Sequence, residues 1–543
     1  MRRRLLVALG LPALLAAPAV AAWQPKVHAL VGVRIVTEPG KVIESGAVVM
    51  RDGIVEAVGD VTPPADARVW RVEDVALTVY PGLIEPYSVR SWPEPKEKDK
   101  GPQAPQGGHA NALVRPERDM ALYAADESAA KKLREAGYTT AAVAPKEGLL
   151  RGRSAVLNLG DGSVQKNLLR ADWAQNVTLK PMPGGGDDGA QYPGSLMGAV
   201  ALFRQTLLDT RWYERSQAAY RRRPAQARPE FSSALAALGP VVAGKQPVVI
   251  ETENVLDTLR ASALVRELGL TALLVGNGEE YKRLAEVRST GLPHLLPLAF
   301  PKAPKAAATD DLTVDLDALR DWDLAPGNPK QLIATGLPVA FTSHRLEDPK
   351  KLYESLHRAM ERGLTAEEAL AAMTTVPARL LGLLDRAGTI APGKLANLVV
   401  VEGDLFVEKP KIREVWIDGE RYEVKESKPP EAQPAGTWEL TATTSDGQQV
   451  PVVLKLTGEP SSLGGTVEAM GSTAELASAS ISGKSLKLEF DGTPFGFPGR
   501  IDMTLEIAGD AATGSGDGPA GAFTVSGSRT AKPNAPQSTQ AEV

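Results

Sequence analysis

The sequence predicts a parallel α/β architecture followed by a separate antiparallel β domain. Between residues 119 and 383, apolar strands alternate with helices, as at 248–252, 255–268 and 272–275. Such alternation is typical of a parallel sheet covered by helices. Between residues 436 and 530, apolar residues recur at every second position between Gly-rich turns. This second pattern indicates an antiparallel barrel or sandwich with one solvent-facing side.

The composition is that of an ordinary globular protein. The 543 residues are 43% hydrophobic and 23% charged, and 61 basic against 66 acidic residues leave a net charge of -5. This balance gives no reason to expect nucleic acid or an anionic membrane as a partner. There is no cysteine, which excludes disulfides, thiolate metal sites and a thiol nucleophile. The whole chain has five histidines, a small supply for a metal site.

The first 22 residues have the pattern of an export signal. Three arginines at positions 2–4 precede an apolar run at 5–15, and small residues at 19–22 suit cleavage. The apolar run is shorter than the roughly 20 residues that span a bilayer. We therefore expect residues 1–22 to be a signal peptide, and the mature protein to be exported, periplasmic or secreted, with no membrane anchor.

Short strands dominate both flanks of the α/β region. Strands are predicted at 31–37, 47–51 and 54–58, with Asp52-Gly53 as a tight hairpin turn. Residues 389–424 return to β character, with a second hairpin about Asp418-Gly419.

Two helices of the α/β region carry clear end signals. A helix over 126–136 ends at Gly137, which suits the position after a helix C-terminus. Thr365 and Glu368 form a capping box at the start of a later helix.

Two blocks of the sequence have the form of known family motifs. The segment YPGLIEPYSV at 80–89 resembles the first-strand signature of the amidohydrolase superfamily, usually Pro-Gly-Leu-Ile-Asp-x-His-x-His. Residues 375–382 and 388–400 resemble its last barrel helix and the return to its outer β domain, and 414–419 resemble its closing hairpin. The resemblance is strongest to the imidazolonepropionase-like branch, and to exported bacterial members with a segment like 192–198.

This resemblance implies a domain organisation. A TIM-like (β/α)8 barrel is expected at 81–383, flanked by a composite β-sandwich from 23–80 with 384–424. A linker at 425–435 would lead to an antiparallel β-barrel or sandwich at 436–530, similar to small lipocalin-like modules. Residues 531–543 are expected to be a disordered tail. The nominal activity would be hydrolysis of carbon–nitrogen bonds other than peptide bonds, with zinc or another divalent metal.

The resemblance also assigns positions in the active site. The two histidines of the first strand fall at Tyr87 and Val89, and the histidine of strand five falls at Glu251. The aspartate of strand eight falls at His344, and Lys180 lies roughly at the position of a bridging carbamylated lysine. Valine offers no metal ligand and tyrosine ligates only as a phenolate, so the scaffold motifs are present while the catalytic His-x-His motif is absent.

These replacements lead to an expectation of no metal and no cofactor. Glu251 and His344 are the catalytic candidates. The expected ligand pocket at the barrel mouth contains Glu85, Tyr87, Glu251, Glu253 and His344. A mononuclear site of His294, His344 and Glu251 stays open as an alternative, because two histidines and one carboxylate form a known ligand set.

Whether the protein is an enzyme is left open by the sequence. The first hypothesis is a non-catalytic or atypical member that binds a small-molecule or peptide-like ligand, or an active amidohydrolase paralogue. The alternative is a working metal-dependent or carboxylate-based amidohydrolase, and a third hypothesis is a scaffold for the C-terminal β domain. Under the first hypothesis, Glu251→Ala should weaken ligand binding by about 1–3 kcal/mol and leave folding nearly intact.

Overall fold

The computed structural model describes residues 27–71, 76–89, 107–123, 126–180, 192–304, 315–424, 431–444, 447–460, 463–497, 499–519 and 521–531. The predicted signal peptide and nearly all of the predicted tail lie outside these ranges. The chain forms two compact units, one up to Val424 and one from Lys425, here called unit one and unit two. Within the described ranges, no helix is long and apolar enough to cross a membrane.

Unit one contains strands and helices, and unit two contains strands. The strands of unit one are β1 (Val27–Glu38), β2 (Lys41–Arg51), β3 (Ile54–Gly59), β4 (Arg68–Trp70), β5 (Leu77–Pro81), β6 (Leu83–Ser88), β7 (Tyr138–Val143), β8 (Leu150–Asn158), β9 (Leu168–Thr178), β10 (Val248–Glu251), β11 (Ala272–Val275), β12 (His294–Pro297), β13 (Val339–Thr342), β14 (Leu398–Glu402), β15 (Lys411–Ile417) and β16 (Glu420–Glu423). Its helices are α1 (Glu127–Glu135), α2 (Val164–Asn167), α3 (Leu196–Arg222), α4 (Ser233–Val242), α5 (Val255–Leu268), α6 (Leu284–Thr290), α7 (Leu316–Leu324), α8 (Asn328–Ala334), α9 (Leu352–Glu361), α10 (Ala366–Met373) and α11 (Thr375–Leu380).

The outer sheet of unit one is built from both ends of that unit, as the resemblance implied. Its strands follow the order β16-β15-β14-β5-β1-β2-β3, and β4 pairs with β1. The predicted hairpin turns are present, with positive φ at Asp52 and Gly53 and again at Asp418 and Gly419. All eight strands are hydrogen-bonded into one sheet, so the predicted β-sandwich is not confirmed.

The second sheet of unit one is barrel-like, and it departs from a regular (β/α)8 pattern at β8. Its eight strands run in chain order from β6 to β13. Strand β8 is antiparallel to both of its neighbours, β7 and β9, whereas the other pairs are parallel. Only residues 144–149 join β7 to β8, and so short a link permits an antiparallel pair but no helical crossover.

Side-chain bonds to Glu85 connect the first and last strands of this sheet. Ser343 N donates to Glu85 Oε2 at 2.8 Å, and Thr342 Oγ1 lies 2.5 Å from Glu85 Oε1. Tyr87 N also donates to Oε1, at 3.1 Å. Glu85 is fully buried, and burial raises the pKa of its carboxyl although these hydrogen bonds act in the opposite direction. The structure therefore gives Glu85 a strand-joining position instead of the pocket position expected from the sequence.

Strand alternation separates an inner and an outer apolar layer around this sheet. The inner layer contains Ile84, Val249, Leu273, Val275, Leu295 and Ala340. The residues next to these in sequence, such as Ile250, Leu274 and Phe341, point to the other face of the sheet and pack beneath the helices. Because successive side chains of a strand point to opposite faces, position along a strand decides which residues can reach the barrel interior.

Unit two is a closed antiparallel barrel, which agrees with the alternation seen in the sequence. Its strands are β17 (Gly436–Thr444), β18 (Gln449–Thr457), β19 (Gly464–Ala469), β20 (Ser472–Ser482), β21 (Ser485–Asp491), β22 (Arg500–Ala508), β23 (Ala511–Asp517) and β24 (Phe523–Ala531). They pair in chain order, and β24 returns to β17. The inward residues, among them Trp438, Leu454 and Leu488, form the core of this barrel.

We predict that Thr342→Val lowers the free energy of unfolding of unit one by about 1–2 kcal/mol, because Glu85 would lose a buried hydroxyl partner at nearly constant side-chain volume. Far-ultraviolet circular dichroism during urea unfolding measures this, since α1–α11 all lie in unit one. The control is Thr271→Val at an exposed position. Equal effects of the two substitutions would contradict a strand-joining role for Glu85.

Candidate functional site

Four side chains meet at one end of the barrel-like sheet. Tyr87, Glu251 and His344 lie at or just beyond the C-terminal ends of β6, β10 and β13. Arg151 lies at the start of β8. Because β8 runs opposite to its neighbours, its first residues lie at the same end as the last residues of β9 and β10. The structure thus brings together three predicted pocket residues and an arginine that the sequence analysis did not select.

Glu251 is the centre of this cluster. Arg151 Nη1 donates to Glu251 Oε2 at 2.6 Å, and Tyr87 Oη donates to the same oxygen at 3.3 Å. Tyr87 Oη in turn accepts from Arg151 Nη1 at 3.0 Å. His344 Nε2 lies 3.0 Å from the other carboxylate oxygen, Oε1. The side chains of Arg151, Glu251 and His344 are each at most 10% exposed, so both carboxylate oxygens are engaged out of contact with most solvent.

The network keeps Glu251 ionised. Burial alone would raise the pKa of Glu251, but the hydrogen bond from His344 and the charge of Arg151 together bring that pKa below its ordinary range. Burial likewise raises the pKa of Tyr87, so its hydroxyl stays protonated. Burial would lower the pKa of Arg151, but Tyr87 and Glu251 outweigh it and raise that pKa. The cluster therefore centres on a buried carboxylate paired with a buried guanidinium, and Arg345 Nη2 lies 3.7 Å from the other carboxylate oxygen, Oε1.

His344 presents a nitrogen that this network does not use. Its Nδ1 is buried and has no hydrogen-bond partner among the described residues. An ionised carboxylate only accepts hydrogen bonds, so the contact with Glu251 assigns the imidazole proton to Nε2. In a neutral imidazole with its proton on Nε2, Nδ1 is the nitrogen that carries the lone pair. A carboxylate that orients an imidazole in this way is the arrangement of a general base.

Glu253 lies at the rim of the cluster. Its side chain is 39% exposed, and Lys180 Nζ and Arg345 Nη2 approach it at 3.4 and 3.5 Å. Arg345 Nη2 also donates to Thr252 O at 2.8 Å. Lys180 is thus a partner of a rim carboxylate in this structure. Glu253 is the pocket residue most open to solvent, and it is flanked by two cations.

His294 does not reach the barrel mouth, which corrects the expectation from the sequence. It is the first residue of β12, and it pairs in register with Leu274 and Val339. Both of these partners pack in the outer layer. Its Nδ1 lies 2.9 Å from Leu292 O, and burial lowers the pKa of its ring. The alternative mononuclear metal site of His294, His344 and Glu251 is therefore not assembled. The alternation of side chains along β12 directs His294 away from the barrel interior.

Arg151 was missed because β8 was missed. The segment 145–150 follows the strand at 139–144 and contains Gly148, which has a positive φ of 105°. Glycine within a short link between two apolar runs is a hairpin signal. A hairpin at this place would have put Arg151 at the barrel mouth.

The comparisons with known proteins support an amidohydrolase-like fold. Residues 330–422 match the model of the Amidohydrolase family. An amidohydrolase from Thermotoga maritima MSB8 aligns over 73% of this chain and 99% of its own, with 20% identity and a TM-score of 0.56. An adenosine deaminase from Xanthomonas campestris, solved with bound zinc, aligns over 74% of this chain and 94% of its own, with 13% identity and a TM-score of 0.36.

A curated relative matches a short stretch at higher identity. Adenine deaminase from Clostridium perfringens is 45% identical over 69 residues, which are 13% of this chain and 11% of the deaminase. The chain thus matches about a ninth of that relative's length. Residues 330–422 carry the sequence pattern of the amidohydrolase family, and unit one has an amidohydrolase-like α/β fold. The particular branch stays a prediction.

The expectation that the protein needs no cofactor is contradicted. The match of residues 330–422 to the Amidohydrolase family points to a metal-dependent amidohydrolase.

The residues at the barrel mouth nevertheless do not fit such a metal. In the described ranges, no three His, Asp or Glu side chains gather as metal ligands. The guanidinium of Arg151 is bound to the carboxylate that would have to serve as a ligand.

The structure changes the expectation for substitution of Glu251. Removal of one partner from a buried ion pair leaves an uncompensated charge, at a cost of about 3–5 kcal/mol. We therefore predict that Glu251→Gln lowers the free energy of unfolding of unit one by about 3 kcal/mol at pH 7. The matched control is Glu253→Gln, which should change it by less than about 0.5 kcal/mol because that carboxylate is exposed.

The pH dependence of the free energy of unfolding provides a second test of this prediction. A carboxyl whose folded-state pKa is lowered stabilises the fold above its unfolded pKa, about 4.3 for glutamate. The difference in the free energy of unfolding between wild type and Glu251→Gln should therefore have its full value at neutral pH. It should become smaller as the pH falls below about 4. Urea unfolding at several pH values measures it. A difference that stays constant with pH would show that the charge of Glu251 is not what stabilises unit one.

Proposed function

We propose that this protein is a non-hydrolytic member of the amidohydrolase fold that binds a small amide-bearing or peptide-like ligand at the barrel mouth. The observation that carries the proposal is the Arg151–Glu251 ion pair, 2.6 Å long and buried. A carboxylate with both oxygens engaged by Arg151, Tyr87 and His344 is a weak base. The Glu251 carboxylate is therefore better suited to orienting the side chains around it than to taking a proton from water.

The groups around the ion pair indicate how such a ligand would bind. His344 Nδ1 offers one acceptor for an amide N–H. At the rim, Arg345 and Lys180 suit a carboxylate, and Glu253 suits an amine. A molecule with an amide and either a carboxylate or an amine at one end would match Nδ1 and one of these rim charges. An active amidohydrolase paralogue is the other partner that the sequence proposed, and copurification with such a paralogue would support it.

A working hydrolase is the second candidate, and one observation favours it. Glu251 orients His344 and leaves Nδ1 without a partner among the described residues. An imidazole of this kind can take a proton from water during attack on an amide. In this candidate His344 is the base, Glu251 is the group that orients it, and Arg151 keeps Glu251 ionised.

Binding and hydrolysis assays on the same set of compounds distinguish the non-hydrolytic binding protein from the working hydrolase. We expect calorimetric titration with N-acetyl amino acids and dipeptides to show binding, and chromatography to show no hydrolysis, with or without added Zn²⁺. His344→Gln keeps a donor for Glu251 but removes the Nδ1 acceptor, so it should weaken binding roughly tenfold, the scale of one hydrogen bond. Hydrolysis by wild type that His344→Gln abolishes would overturn the non-hydrolytic proposal and establish the second candidate.

We also propose that the protein is exported, on the basis of its N-terminal sequence pattern. The full-length gene product expressed in a bacterium should be recovered outside the cytoplasm. N-terminal sequencing should find a chain that begins near Trp23. Recovery of an uncleaved chain in the cytoplasm would contradict export, and it would leave the proposal for the barrel mouth unaffected.

A further inference from the structure

The two ends of the closed barrel in unit two are filled differently. At one end, Trp438 is buried and its Nε1 donates to Pro434 O at 2.8 Å. Leu454, Leu486 and Leu505 are buried there as well, each at most 1% exposed. At the other end, the inward positions hold small residues such as Ala442 and Gly516. Large side chains thus close one end, whereas Ala442 and Gly516 leave space between the larger residues at the other.

The space at the second end is an apolar cavity of about 130 Å³. Six methionine and phenylalanine side chains are part of its wall: Met470, Phe490, Phe495, Phe497, Met503 and Phe523. Small eight-stranded barrels have an interior just wide enough for side chains or for one small ligand. An engineered cavity of about 150 Å³ lined by Leu, Ile and Phe stays dry and binds benzene. The cavity of unit two is of that size and character.

The rim of this cavity is apolar as well, which distinguishes it from a simple packing defect. Met470 is 58% exposed and Phe497 is 37% exposed. Both also line the cavity, so one apolar surface continues from the interior to solvent. Gln448 and Thr444 lie beside the same opening and supply polar groups there. A ligand that enters would keep an apolar end inside and a polar end at the rim.

We propose that unit two binds the apolar end of a small amphipathic molecule, a single aromatic ring or a short alkyl chain, in this cavity. The site is independent of the barrel mouth of unit one. Apolar area removed from water drives the binding, and the volume limits the buried part to about the size of benzene. A carbohydrate or a compact ion is not expected to bind there, because the lining offers few polar partners for its hydrogen bonds or its charge.

The methionines provide a direct test on the full chain. Of the nine methionines, Met470 and Met503 are the two in unit two, and both line the cavity. With ¹³C-methyl methionine, titration with benzyl alcohol and with 1-hexanol should shift these two signals saturably. The signals of Met50, Met120 and Met373 in unit one should stay in place. Glycerol, the polar control, should shift none of the signals.

Filling the cavity should abolish the effect. Ala442→Leu should weaken binding of 1-hexanol roughly tenfold or more, the loss for about two methylene groups that are no longer buried. Thr441→Leu, one residue away on the outward side of the same strand, is the matched control and should bind like wild type. If Ala442→Leu does not fold, Ala469→Leu fills the same space. Absence of a saturable Met503 shift in wild type, or equal binding by the filled variant, would overturn the proposal.

Discussion

The need to pair a buried charge governs the barrel mouth of unit one. Glu251 ends β10, where its partners in register are Val275 of β11 and Thr178 of β9, at a depth where an unpaired carboxylate would be costly. Arg151 pairs with it only because β8 runs against its neighbours and so brings its first residues to the mouth. The direction of one strand, the charge state of Glu251 and the orientation of His344 are thus parts of a single arrangement.

The amidohydrolase-like fold of unit one is held by contacts that lie mostly away from this cluster. The scaffold depends on strand pairing, on the layers of apolar residues and on the bonds to Glu85 between β6 and β13. None of these requires a histidine. At the mouth, a guanidinium supplies the positive charge that the carboxylate needs, and Tyr87 adds a hydroxyl at the position where the resemblance expects an imidazole.

The sequence predicted what depends on local pattern, and it did not predict what depends on strand direction and alternation in space. Helix α5 and strand β11 agree with their predicted bounds, because periodicity and end signals are local. The capping box of Thr365 and Glu368 is present for the same reason. His294 was placed wrongly because its face follows from the register of β12. Arg151 was missed because its contact with Glu251 spans 100 residues of chain.

The closed ring of strands in unit two has a consequence for recognition by other proteins. Each of its described strands is hydrogen-bonded on both sides, so the ring offers no free main-chain edge for β-augmentation by a peptide or by a second copy. Any partner of unit two must therefore contact side chains or loops. In the described part of the chain, the strands that pair on one side only within their sheet all lie in unit one: β3, β4 and β16 in the outer sheet, and β6 and β13 at the ends of the barrel-like sheet.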